Sequence, residues 1–442
     1  MESSPTDSAM KMEDKGPAQE NWDLEVSQTV KKQTSKVLNI IISGLALFSD
    51  GYNAQIVGYM DLIFTKLYKD SFTTTIKSRL TNSYLIGEIF GMLLFGALID
   101  RMGRRTGVIL ATILLVLGVV LATAAHGTSD LGMFWMMIIA RGVAGVGAGG
   151  EYPVCGTSTT EAADESHRLR KRRGLLVGMT TDFAVDFGIV SSGVVAVIVL
   201  ACYGKEETKG VWRICFGLGF VLPLVICFFR VRMINSTQWR KHSIKSRYPY
   251  LLVLKRYWKP MVGTSLAWFC YDFVTYPFGL FSSTIVQDLM TENTIFQSIG
   301  FGAAINLFLL PGCIIGAYLM DKIGQMGPGV ATFLCAAESF PTPLRGHFLG
   351  LAAAFGKAGG SIGTQVFTPI QNSFSTTLEG QRAVFLIGSG FAMLGGSAAW
   401  FLIPDMSREL ETEDARFKAY LVENGYDITN YGEEALVVAP RE

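Results

Sequence analysis

Gly96-Ala97-Leu98-Ile99-Asp100-Arg101-Met102-Gly103-Arg104-Arg105 ends one apolar run of the chain, and Ala317-Tyr318-Leu319-Met320-Asp321-Lys322-Ile323-Gly324-Gln325 ends another. Each phrase places an acid, a base and a glycine, in that order, just past a stretch long enough to cross a bilayer. Loop position, acid–base order and spacing agree. The agreement implies two related halves of membrane-crossing helices arranged as parallel repeats.

Working outward from these loops, stretches of the roughly 20 apolar residues that a crossing helix needs recur along the chain. They fall near 37–60, 82–99, 106–126, 131–157, 174–202, 212–231, 261–283, 299–320, 348–370 and 384–403. Basic residues follow the second, fourth and sixth of them: Arg101, Arg104 and Arg105, then Arg168 to Arg173, then the loop from Arg230 to Lys259. The loops at 126–131 and 284–298 carry no Lys or Arg, although the first connecting loop holds Lys66, Lys69, Lys77 and Arg79. Positive-inside logic therefore predicts cytosolic termini and a cytosolic central loop. The predicted organisation is a disordered tail over 1–36, a six-helix bundle over 37–231, a central loop over 232–260, a second bundle over 261–404 and a tail over 405–442.

Composition agrees with a chain dissolved in lipid. Half of the 442 residues are apolar, 17% are charged, and 48 are glycine. A soluble domain carries more charge, whereas glycine lets helices pack closely in a membrane. A net charge of +1 points to no nucleic-acid partner. The seven cysteines show no CxxC or Cys/His spacing, and four histidines are too few and scattered for a metal or catalytic cluster. No cofactor and no enzymatic reaction is expected.

The GxLxDRxGRR loop resembles the signature of the major facilitator superfamily, in which it acts as a latch between helices. Gly147-Ala148-Gly149-Gly150-Glu151-Tyr152-Pro153 resembles the fourth-span motif of phosphate:proton symporters, and Ala337-Glu338-Ser339-Phe340-Pro341-Thr342-Pro343-Leu344-Arg345-Gly346 resembles their tenth-to-eleventh loop. Leu47-Phe48-Ser49-Asp50-Gly51-Tyr52-Asn53 and the Glu of GGEYPV are most similar to the fungal glycerophosphodiester (glycerophosphoinositol/glycerophosphocholine) permeases. The resemblance runs from about 37 to 404 and implies an all-α, polytopic membrane protein with the two-bundle fold of that superfamily.

The family has twelve spans, and this chain has about ten complete ones. After Gln325 it passes at once to Met326-Gly327-Pro328-Gly329, a phrase that in related permeases begins near the middle of the tenth span. The remnant over 326–337 would be roughly 18 Å long as a helix and cannot cross. The expectation is a truncated second bundle that has lost a wall and turns polar groups toward lipid.

Ionisable residues inside spans are costly and by default mark a solute or proton path. Asp50 is read as a proton carrier, and Asn53 one turn on stands where phosphate symporters have a second acid. On the fourth span, Arg141 can neutralise a nearby carboxylate. Glu151 occupies the family's proton-binding position, and Tyr152 matches a tyrosine that contacts substrate. Trp268, Asp272 and Tyr276, spaced i, i+4, i+8, share one helical face and match the family's substrate triad. An aromatic stripe that merely packs would explain Trp268 and Tyr276 but not Asp272. Lys357 matches a family lysine that can attract an anion, or it can snorkel to the headgroups. Asp182 and Asp186 receive no firm role, Glu88 is read as a structural bridge, and Gly329 replaces a family asparagine. In the latch, Asp100 is expected to meet a helix N-terminus, while Arg101, Arg104 and Arg105 pair with acids.

The resemblance implies proton-coupled import of glycerophosphodiesters by alternating access, in the plasma membrane, as a monomer. The partners are a small anionic solute, protons and the lipid bilayer. Rival expectations are an inorganic phosphate:proton symporter and a membrane receptor that binds without transporting.

Overall fold

The computed structural model describes residues 17–102, 104–164, 172–206, 208–230, 249–290, 292–323, 332–403 and 410–428, and among them there is no strand. Among the described residues, eight helical stretches are long and apolar enough to cross a membrane, from Ile40–Leu67 to Thr377–Leu402. Two more predicted spans fall on the helices Tyr250–Leu280 and Arg345–Asn372, of 31 and 28 residues. These two are as long as the others but less apolar, because they carry the polar faces that meet inside the molecule. All ten predicted spans are thus helical.

In chain order the helices of the first half are α1 (Pro17–Leu67), α2 (Thr74–Met102), α3 (Arg104–Thr123), α4 (Asp130–Asp164), α5 (Arg173–Thr180), α6 (Asp182–Cys202), α7 (Lys209–Leu218) and α8 (Val221–Arg230). The fifth span breaks at Thr181, whose hydroxyl donates back to the Val177 carbonyl at 2.7 Å and to Asp182 at 3.2 Å. The sixth span breaks at Gly219-Phe220. There the freed Gly219 carbonyl accepts from the Asn53 amide at 3.0 Å, so Asn53 repairs an interrupted helix.

The second half comprises α9 (Tyr250–Leu280), α10 (Ser282–Leu289), α11 (Ile295–Leu307), α12 (Leu309–Ile323), α13 (Thr332–Glu338), α14 (Arg345–Asn372), α15 (Thr377–Leu402) and α16 (Leu410–Glu423). Helices α9, α14 and α15 pack together, and α14 also lies along α2 of the first half. At one position a side chain would forbid that approach: a Cβ on Gly350 would strike the Met92 carbonyl.

Two predicted boundaries move. Residues 17–36 are helical, not disordered, because Pro17 suits the first turn and helix formers follow; extending an existing helix costs little. The central loop and the final tail also contribute structure. Residues 250–260 begin α9, and α16 docks on them through buried Phe417 and Leu421, an i, i+4 pair that packs near Tyr257, Phe340 and Leu344. Residues 1–16, 231–248 and 429–442 lie outside the described residues.

The remnant after the eighth span behaves differently from expectation. Helix α13 has seven residues, roughly 10 Å of length, and cannot cross. It is nevertheless buried from Phe333 to Ala337. Its apolar side chains plug the bundle where a wall was expected to be missing, and the eighth span leans on the fifth, with Ala303 against Gly193. The polar groups of the second half are therefore enclosed: Asp272 and Lys357 are each 2% exposed.

Candidate functional site

Lys357 sits halfway along α14, between Gly356 and Gly360. The Trp268 ring lies over the first of these glycines and the Tyr276 ring over the second, which brings α9 against α14 with the lysine between the two rings. Its ammonium donates to the Tyr152 hydroxyl at 2.9 Å and to the Tyr276 hydroxyl, and lies 3.7 Å from an Asp272 carboxylate oxygen. It also stands over both tyrosine rings, 4.6 and 4.2 Å from their centroids. The lysine does not snorkel. Four residues singled out from sequence thus meet at one point, from α4 of one half and α9 and α14 of the other. An ammonium ringed by hydroxyls offers several donors to an incoming oxyanion.

Beside this cluster lies a small cleft of about 60 Å³. Trp268 lines it with Phe333 of α13, their rings 4.9 Å apart, and Phe333 stacks on Tyr152 at 5.2 Å. Phe333 had no signal in the sequence, because it belongs to the remnant. Asp182 and Asp186 line the same cleft. The Asp186 carboxylate accepts from the Cys313 thiol of α12 at 2.8 Å, a contact across the two halves.

On the other side of Lys357 lie buried acids of the first half. Asp50 accepts from the Tyr84 hydroxyl at 2.8 Å, and its second oxygen meets no donor. Glu88, one turn beyond Tyr84 on α2, is fully buried and lies within electrostatic reach of Asp50, Asp272 and Lys357. Arg141 donates to the carbonyls of Leu80 (3.3 Å) and Asn53 (3.2 Å) and stacks over Tyr84. It ties three helices together through their main chains.

Glu151 stands apart from the cleft. Its carboxylate accepts from Arg230 at 2.6 Å and from Thr112 at 3.0 Å, and Arg230 also donates to that threonine. Sequence reasoning counted Arg230 among loop charges, since it ends an apolar run; the structure folds it inward, 1% exposed.

The sequence profile of the sugar (and other) transporter family matches residues 36–248. Glycerophosphoinositol permease 1 of Candida albicans is 33% identical, the match covering 90% of this chain and 85% of that protein. Glycerophosphoinositol transporter 1 of Saccharomyces cerevisiae is 32% identical over the same shares, and a glycerophosphocholine permease of C. albicans is 30% identical over 95% and 88%. The chain belongs to the glycerophosphodiester permeases of the major facilitator superfamily. The fold agrees: a proton:xylose symporter of that superfamily superposes with a TM-score of 0.68 at 17% identity, covering 86% of this chain and 99% of its own.

In this family member the Asp100 loop meets the other half. Asp100 accepts from the His347 main-chain N–H at 2.9 Å and pairs with its ring nitrogen at 2.6 Å. That N–H belongs to the first turn of α14, so Asp100 caps a helix of the other half. Arg101 and Arg105 are exposed at the same end, and the side chain of Arg104 lies outside the described residues. At the opposite end of the molecule a vestibule of about 660 Å³ opens between the halves, with Lys77, Arg79, Phe281 and Asp288 among its lining residues. Asn82 lies at its floor, accepting from the hydroxyls of Ser361 (2.9 Å) and Thr364 (3.0 Å) of α14. Lys77 balances the buried Asp61 at 3.4 Å, an acid not singled out from sequence. The halves thus meet at the Asp100 end and part at the other.

Proposed function

We propose that this chain imports a glycerophosphodiester together with protons, by alternating access in the plasma membrane, as a monomer with both termini cytosolic. The observation that carries the reading is the meeting of Lys357 with Tyr152, Asp272 and Tyr276 across the two halves. A phosphoryl group would take the place of the hydroxyl partners on the ammonium, with Trp268 bounding the cleft beside it. Relatives named for glycerophosphoinositol and glycerophosphocholine support the substrate class.

Asp50 and Glu151 take up protons in this reading. A proton on Glu151 releases Arg230, and Arg141 holds the first, second and fourth spans in register around Asp50. Binding closes the vestibule, and parting of Asp100 from α14 opens the cytosolic side, with Arg101, Arg104 and Arg105 re-forming the latch. Gly329, the residue read as enlarging the cavity, lies outside the described residues.

The test is uptake of labelled glycerophosphocholine and glycerophosphoinositol into proteoliposomes between pH 4 and 8. Uptake that rises as the outer pH falls supports the reading, and equal rates across that range end the claim of coupling. The small volume of the cleft favours one rival, an inorganic phosphate:proton symporter. A relative at 24% identity is named as an inorganic phosphate transporter of Toxoplasma gondii. Competition by excess orthophosphate decides between them.

A further inference from the structure

Glu88 is a buried acid that the scheme above leaves idle. It stands midway along α2 and has no exposed surface. Neither of its carboxylate oxygens meets a hydrogen-bond donor. The group it lies beside is the Asp50 carboxyl, which is itself an acceptor and already takes the Tyr84 hydroxyl. On the far side, α4 packs its Gly145 and Gly149 against the Glu88 main chain.

The charged and titratable groups around it come from five helices. They are Asp50 of α1, Tyr84 of α2 itself, Arg141 and Tyr152 of α4, Asp272 and Tyr276 of α9, and Lys357 of α14. Arg141 is occupied with two carbonyls, and the tyrosines are engaged with Asp50 and Lys357. Lys357 is the other cation within reach, and it serves Asp272.

An ionised carboxylate held here without a donor would bear a desolvation penalty of several kcal/mol. A second carboxylate next to it adds repulsion. A proton on Glu88 removes both costs and gives the pair a donor to share. Glu151, by contrast, already has its charge balanced by Arg230. The structure therefore offers a group whose energy changes with a proton, placed beside the cation that the anionic solute needs.

We propose that Glu88 is a proton-carrying carboxyl of this transporter, and that it competes with the transported phosphodiester for Lys357. The proposal rests on the reading of Lys357 as the anion site. Asn82 stands six residues nearer the vestibule on the same helix, roughly 9 Å along its axis. Parting of its bonds to Ser361 and Thr364 lets water reach Glu88, which takes a proton on a carboxylate oxygen. Neutral Glu88 leaves Lys357 to the phosphodiester. After the latch end opens, Glu88 gives up the same proton, and its carboxylate draws Lys357 away from the bound anion. One proton gained at the vestibule is one proton lost at the latch.

The experiment uses the full chain in proteoliposomes with labelled glycerophosphocholine. Two readouts are compared: exchange of label with unlabelled diester on both sides, and accumulation driven by an inward proton gradient. Glu88→Gln is expected to exchange at rates within about threefold of wild type, a change of under 1 kcal/mol, while accumulating about tenfold less label above equilibrium. Glu88→Asp is expected to regain accumulation. Gradient-driven accumulation by Glu88→Gln at the wild-type level overturns the proposal and leaves the substrate reading intact. Loss of exchange in Glu88→Gln also overturns it, because a group that only carries the proton is not needed for exchange. Absence of diester exchange in the wild type overturns the substrate reading, and the proposal with it.

Discussion

Asp100 and His347 lie 247 residues apart and join the two halves through one carboxylate, which takes the main-chain N–H and a ring nitrogen of the same histidine. The acid is fully buried, so water competes little for these bonds. Bonds of this kind to a charged acceptor contribute about 1.5–3 kcal/mol. Asp100→Ala is expected to weaken latch closure by about 2 kcal/mol, roughly thirtyfold in the closed-to-open ratio. Faster hydrogen exchange at the first turn of α14 checks it; unchanged exchange there refutes a latching role.

Lys357→Met keeps the volume and the tyrosine rings but leaves Asp272 without its cation. Binding of a phosphodiester is expected to fall by about thirtyfold or more, since truncating one partner of a buried charge pair costs about 2–5 kcal/mol. Tyr276→Phe removes one hydroxyl partner of the Lys357 ammonium, a bond to a charged group worth about 1.5 kcal/mol, and is expected to cost about tenfold. Equilibrium binding of labelled glycerophosphocholine to the purified chain measures both. Equal losses for the two variants would mean that the ring packing matters and the charge does not.

The spans were legible because each needs a long apolar run, and lipid tolerates no substitute. Asp272, Tyr276, Lys357 and Tyr152 stood out for a related reason: charge and hydroxyl groups are rare where every neighbour is apolar. Partners were harder to read. Glu151 and Arg230 are 79 residues apart with no spacing that links them, and an arginine at the end of an apolar run reads as a headgroup anchor. His347 looked like one of a few scattered histidines until α14 turned it toward Asp100. Phe333 was hidden by the truncation, since a segment too short to cross was expected to line nothing. The breaks at Thr181 and Gly219 escaped notice because both lie within unbroken hydrophobicity, and only the Asn53 amide shows what the second one requires.

The Glu151–Arg230 pair separates structural from transport roles. Both side chains are 1–2% exposed, so removing one partner strands the other. Arg230→Ala is expected to destabilise the chain by about 3–5 kcal/mol. Replacing both, with Arg230→Met and Glu151→Gln together, is expected to recover most of that loss, because two neutral groups need no counter-charge. Thermal unfolding in detergent reports both variants. A double variant as unstable as the single one would show that the pair holds the fold by shape rather than by charge.

Docking of α16 should have its own pH dependence, separate from that of transport. Tyr257 donates to Glu413 at 2.6 Å, and Arg256 reaches the same oxygen at 2.9 Å. Burial, then the bond to the Glu413 carboxylate and its charge, push the Tyr257 phenol well above its ordinary value. The folded form therefore holds this proton more tightly than the undocked one, whose phenol titrates near 10. The sign follows: the contribution is complete below about pH 10 and declines as the pH rises beyond it. Protease cleavage on the N-terminal side of α16 is expected to be flat from pH 7 to 9 and to accelerate above 10. Tyr257→Phe should remove that acceleration, and its persistence in the variant would assign the effect to another group.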